Sequence, residues 1–107
     1  MLDLVVSPAA RTDLFGIWEY IASDNLEAAD RFVLAASKAF TDLARVPGLG
    51  RERRFSMTVN AGLRSWRVKG FSHYLVFYRS TPACLEIVRV LNGVQNLDVL
   101  LGDKQDS

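Results

Sequence analysis

A single arginine, Arg89, stands inside an apolar run, Glu86–Leu91, whose β-branched residues Ile87, Val88 and Val90 read as a strand. A guanidinium holds its N–H donors in a planar fork, the shape that grips a carboxylate or a phosphate. Just beyond it Asn92, Gln95 and Asn96 offer amides and Leu97 an apolar contact, with Gly93 breaking the strand. None of these groups titrates near neutral pH, so the stretch can bind but has no evident acid or base. Glu86 lies three residues from Arg89, on the opposite strand face, and reads as the partner of a cation on a neighbouring strand. His73, the only histidine, opens a strand beside Gly70 and reads as a hydrogen-bonded or surface imidazole. Tyr74 and Tyr78 read as core-edge aromatics whose hydroxyls reach water or backbone. No Cys/His cluster has zinc spacing, and "GLGR" at 48–51 follows a helix, which rejects a phosphate-cradling loop. No metal and no cofactor is expected.

Charge is unevenly spread. The net charge is +1, but residues 51–92 carry eight cations against two acids, while residues 1–50 carry four cations against seven acids. The middle segment is therefore +6, and seven of its eight cations are arginine. Such a segment suits an anionic partner met through bidentate contacts, or, more plainly, forms a solvated basic sheet face. A 107-residue chain with one cysteine, Cys84, makes one domain without disulfides, and a buried thiol in the reducing cytoplasm is expected. Its N-terminus carries Asp3 and no basic region, unlike a signal peptide.

The elements that would position these groups follow from the pattern. Leu2–Val6 reads as a strand. Ser7 then caps a helix with Pro8 at its first position, and Ala10, Leu14, Ile17, Trp18 and Ile21 form one buried stripe. "SDN" at 23–25 breaks it, with Asp24 and Glu27 as a capping box. A second helix buries Ala29, Phe32, Val33, Ala36, Phe40 and Leu43 and stops before Pro47. "PGLGRERRF" reads as a loop and "SMTVNAG" as its continuation or a weak edge strand. Strands follow at about Leu63–Val68, His73–Tyr78 and Leu85–Leu91, joined at Gly70 and "STPA". The last is apolar on both faces and should be central. The fold class is α+β: an N-terminal strand, a two-helix hairpin and a three-stranded antiparallel meander in one sheet, helices on one face. Counting directions through the two helices predicts a sheet antiparallel throughout. Residues 102–107 read as a frayed polar tail.

The ordered set "SPAARTDLFGIWEYIA", "AADRFV", "FTDLARVPGLGR", "GLRSWRV", "YLVFYR" and "EIVRVLNG" resembles the RelE/ParE superfamily of type II toxins, most closely its ParE branch, over about residues 4–101. The resemblance implies a cognate antitoxin, a ParD-like DNA-binding dimer with a disordered tail that folds onto the toxin. Operator DNA would then be met only through the antitoxin, and no membrane is involved. Arg64, Arg67 and Arg79 are candidate contacts for an acidic tail. Phe15 and Trp18 are candidates beside the first helix, with plain hairpin core as the other reading of Trp18.

The resemblance also implies a target. ParE-like members inhibit DNA gyrase by binding, whereas RelE-like members cut mRNA in the ribosome. Cutting needs a base for the 2′-OH, an acid for the leaving oxygen and cations for the phosphate. Arg89 matches the phosphate-stabilising arginine of RelE-like members, but the tyrosine or histidine usual after that strand is missing. Asn92 also stands where many ParE-like sequences carry histidine, which keeps a purely antitoxin-binding remnant in view. The expectation is a non-enzymatic gyrase inhibitor with Arg89, Asn92, Gln95, Asn96 and Leu97 as target contacts. Arg89 either works outward in this way or pairs internally with an N-terminal acid or near Glu86.

Overall fold

The computed structural model describes residues 1–54 and 62–93. Strand β1 (Asp3–Val6) leads into helix α1 (Pro8–Ala22). Ser7 caps that helix, its hydroxyl accepting the Ala10 N–H at 3.0 Å, with Pro8 in the first turn. Helix α2 (Leu26–Arg45) is capped by Asn25, not by an Asp24 box: the Asn25 side chain accepts the Ala28 N–H at 3.0 Å. The break is thus one residue later than the sequence suggests, because the asparagine sits three residues before that N–H. A single 3₁₀ turn (Pro47–Leu49) precedes β2 (Arg51–Glu52), then β3 (Arg64–Val68), β4 (Phe71–Ser80) and β5 (Cys84–Asn92).

The strands form one sheet in the order β1-β5-β4-β3-β2. The meander is antiparallel as expected, but β1 runs parallel to β5, with Leu4 opposite Leu85 and Val6 opposite Ile87. The antiparallel expectation fails because of β2. These two residues, read as loop in the sequence, pair antiparallel with Ser65 and Arg64 and supply one more reversal of direction. Counted with β2, β5 points the same way as β1. The crossover between these parallel neighbours is the α-hairpin and meander together.

Both helices cover one face. Phe32, Ala36, Phe40 and Leu43 of α2 and Ala10 of α1 pack on Val76, Tyr78, Leu85, Ile87 and Val90. Phe32 meets the rings of Phe71 and Tyr74 edge-on at 5.3 and 5.2 Å. The other face carries a smaller cluster of Leu63, Phe77 and Leu91, with the Arg53 guanidinium 5.7 Å from the Phe77 ring centre. β5 feeds both clusters and lies inside the sheet between β1 and β4, as its two apolar faces implied, although β4 is the middle strand. Two expected core residues are not core. Val33 is 41% exposed on the outer side of α2, and Trp18 is half-buried outside the main cluster. Cys84, at the start of β5, is also only half-buried.

Short turns hold the meander. Gly70 takes φ +83°, the left-handed region that glycine enters freely, and lets β3 turn into β4 after two residues. Before β5 the Thr81 hydroxyl accepts the N–H groups of Ala83 and Cys84. Tyr78 is fully buried, and its hydroxyl accepts the Gly50 N–H at 2.8 Å while donating to the Pro47 carbonyl at 2.7 Å. The segment carrying β2 is thereby fastened to the sheet. Among the described residues no helix is long and apolar enough to cross a membrane.

Candidate functional site

Where β1 stops, at the level of Ile87, the edge of β5 loses its strand neighbour. α1 takes over with side chains. The Ser7 hydroxyl donates to the Val88 carbonyl at 2.8 Å, and Asp13 Oδ2 accepts the Val90 N–H at 3.0 Å. The same carboxylate grips Arg89 with both oxygens, Nε to Oδ2 at 2.7 Å and Nη2 to Oδ1 at 2.9 Å. The pair is mostly covered, with side-chain exposures of 28% for Arg89 and 12% for Asp13. A short bidentate contact with little water around it is the strong form of an ion pair. The bond to Asp13 holds the Arg89 guanidinium above its ordinary pKa, against the opposing pull of burial.

Beside this pair lies a groove of about 520 Å³ between α1 and the ends of β4 and β5. Gly16, Ile17 and Tyr20 form its helix wall, and Tyr74, Leu91 and Asn92 its strand wall. Burial first, then the neighbouring Tyr20, pushes the Tyr74 hydroxyl above its ordinary pKa, so it stays protonated at neutral pH. Asp13 and Arg89 neutralise one another, and the other lining residues are uncharged. The site can donate and accept hydrogen bonds, and among the described residues its lining includes no histidine, cysteine or lysine. Among the described residues no cluster of His, Cys, Asp and Glu could hold a metal ion.

The structure brings Arg89 and Asn92 together in this groove, whereas Gln95, Asn96 and Leu97 lie outside the described residues. The other five candidates are dispersed. Phe15, 61% exposed, stacks on Trp18, whose indole N–H donates to Asp30 of α2 at 3.2 Å. Arg64 is turned inward, donating to the Gly50 carbonyl at 2.7 Å with Glu52 beside it. Arg79 faces Glu86 across β4 and β5 at 3.5 Å, the cross-strand pairing expected for Glu86. Arg67 belongs to a second, larger groove of about 700 Å³ between α2 and the β2–β3 edge. Lys38, Arg51, Arg53 and Lys69 surround it with Arg67, Asp42 is the one acid among its described lining, and Trp66 and Ala39 lie among its apolar residues.

Asp13 and Gly16 were missed in the sequence. For Asp13 a signal existed: it falls three residues after Ala10 and four before Ile17, on the margin of the buried stripe. A carboxylate there needs a buried donor, and an arginine in an apolar strand needs an acid. Each is the answer to the other.

Residues 4–97 match the family model described as the ParE toxin of the type II toxin-antitoxin system parDE. The chain belongs to the ParE toxin family. Its fold is similar to that of a chain of the chromosomal ParDE toxin-antitoxin system from P. aeruginosa, at a TM-score of 0.68 and 20% identity. That match covers 86% of this chain and 96% of the other. A chain of the YoeB–YefM complex from Staphylococcus aureus matches at TM-score 0.51 and 16% identity, over 84% and 94% of the two chains. No match was found among curated proteins. Within the ParE family, then, this toxin carries its strand arginine in an internal carboxylate clasp.

Proposed function

We propose that this toxin acts by binding rather than by catalysis, that its target is DNA gyrase, and that a cognate antitoxin neutralises it. One observation carries the choice between binding and RNA cleavage: the arginine that would steady a phosphate is already engaged by both oxygens of Asp13. A phosphate drawn to Arg89 meets a carboxylate, and among the described residues the groove beside it is lined by no histidine and no second carboxylate to serve as base or acid. The wider cationic groove supports the antitoxin half of the reading. Its five cations and apolar lining suit an acidic amphipathic tail that folds as it binds. The two similar structures come from a ParDE system and a YoeB–YefM complex, in keeping with such a partner. Gyrase as target places the work in the cytoplasm.

The test is a supercoiling assay with purified toxin and gyrase, with the adjacent antitoxin added in a second arm. Inhibition relieved by the antitoxin is the expected result. A parallel incubation with mRNA on programmed ribosomes should leave the message intact. Site-specific cleavage abolished by Arg89→Ala would overturn the reading in favour of an mRNA interferase.

A further inference from the structure

Gly16 sits in the middle of α1, and a Cβ placed on it would meet nothing within 4 Å. Glycine inside a helix is about 1 kcal/mol worse than alanine. Neither close packing nor a left-handed φ requires it here, since its backbone is ordinary helix. It does line the groove beside Arg89, where the missing side chain lets another backbone come close. On the opposite wall, Arg89 spends Nε and Nη2 on Asp13, and its Nη1 protons have no partner among the described residues.

We propose that this groove docks an uncharged peptide segment of a partner protein, whose backbone passes over Gly16 and whose carbonyl is taken by Arg89 Nη1. The charge of the site selects that chemistry. Asp13 has already neutralised the guanidinium, so an incoming phosphate or carboxylate gains little from Arg89 and is repelled by the acid bonded to it. A peptide carbonyl feels no such repulsion and still gains a charge-assisted hydrogen bond. Tyr20 and Tyr74 add hydroxyls and ring surface to the same groove, as peptide-binding clefts commonly do. Asp13 is therefore a positioning residue: it aims Arg89 and sets what the arginine will accept. The inference concerns ligand chemistry and stands whether or not gyrase is the partner.

The test is a titration of ¹⁵N-labelled full-length toxin, followed through the Arg89 Nε–H, Gly16 and Val90 resonances. The probes are acetyl-Ala-Ala-amide, as bare peptide backbone, and inorganic phosphate. The dipeptide should shift these resonances saturably in the wild type, and phosphate should not. Asp13→Asn should reverse the order, raising phosphate affinity about tenfold or more as the repelling charge is removed. Gly16→Val should block the dipeptide while leaving the fold intact, which its melting temperature and amide spectrum report. The proposal is overturned if phosphate moves the wild-type resonances at or below the dipeptide concentration. It is equally overturned if the dipeptide moves none of them, or binds folded Gly16→Val as well as wild type.

Discussion

Replacing Asp13 by alanine removes three hydrogen bonds at once, two from Arg89 and one from the Val90 N–H. The loss can be bracketed. An exposed ion pair contributes about 0–1 kcal/mol, whereas breaking a buried pair by deleting one partner costs about 3–5 kcal/mol. With exposures of 12% and 28%, this pair lies toward the buried end, and about 2–3 kcal/mol is expected from it. The orphaned Val90 N–H adds about 1 kcal/mol, since it sits on a strand edge that water can reach. Together these lower the melting temperature by roughly 12–20 °C. Asp13→Asn keeps one acceptor oxygen and should lose about half as much. Urea denaturation of Asp13→Ala, Arg89→Ala and the double variant closes a cycle, and a coupling of about 1–3 kcal/mol is expected. If Asp13→Ala stayed within about 0.5 kcal/mol of wild type, or the two changes were simply additive, the clasp would contribute nothing and the site would have to be rebuilt without it.

Two other changes probe the fastening of β2. Burial raises the Tyr78 pKa, with the Gly50 bond and Arg64 opposing, so the hydroxyl ionises later in the folded chain than in the unfolded one. Its contribution is full below the unfolded value near 10 and declines as pH rises through the folded value. Stability measured between pH 9 and 11 should therefore fall at the alkaline end, and Tyr78→Phe should flatten that fall while costing about 1–3 kcal/mol at pH 7. Glycine-to-alanine changes should have opposite signs at two sites, read by thermal denaturation. Gly50→Ala drives a Cβ to 2.5 Å from the Tyr78 hydroxyl and 2.8 Å from the Ser65 carbonyl, and should destabilise by about 1–3 kcal/mol. Gly16→Ala meets open space and should stabilise by about 0.5–1 kcal/mol.

The helices were legible because their signals are local: Ser7-Pro8 opens α1, and an apolar stripe runs along each helix. The stripe misled at its margins. Trp18 and Val33 have the right spacing, but each lies just far enough round its helix to leave the core. Sheet order was harder, since it depended on the direction of one two-residue strand, and β2 has neither β-branched residues nor alternation to announce it. Arg89 was recognisable as an oddity, and its internal pairing with an N-terminal acid was one of two readings. Choosing between them required knowing that β1 ends early and that α1 then crosses the bare edge of β5. No spacing within either segment encodes that, for Asp13 and Arg89 are 76 residues apart.

That separation has a consequence for the order of folding. β1 and β5 are separated by the helical hairpin and the rest of the meander, yet each is the other's neighbour in the sheet. The groove between α1 and β5 cannot exist until Arg89 and Asn92 have docked against α1, a contact that closes a loop of 76 residues. A helical hairpin that forms ahead of β5 therefore carries one wall of the groove and lacks the other. The groove is thus among the last features to assemble, because its two walls must be brought together from distant parts of the chain.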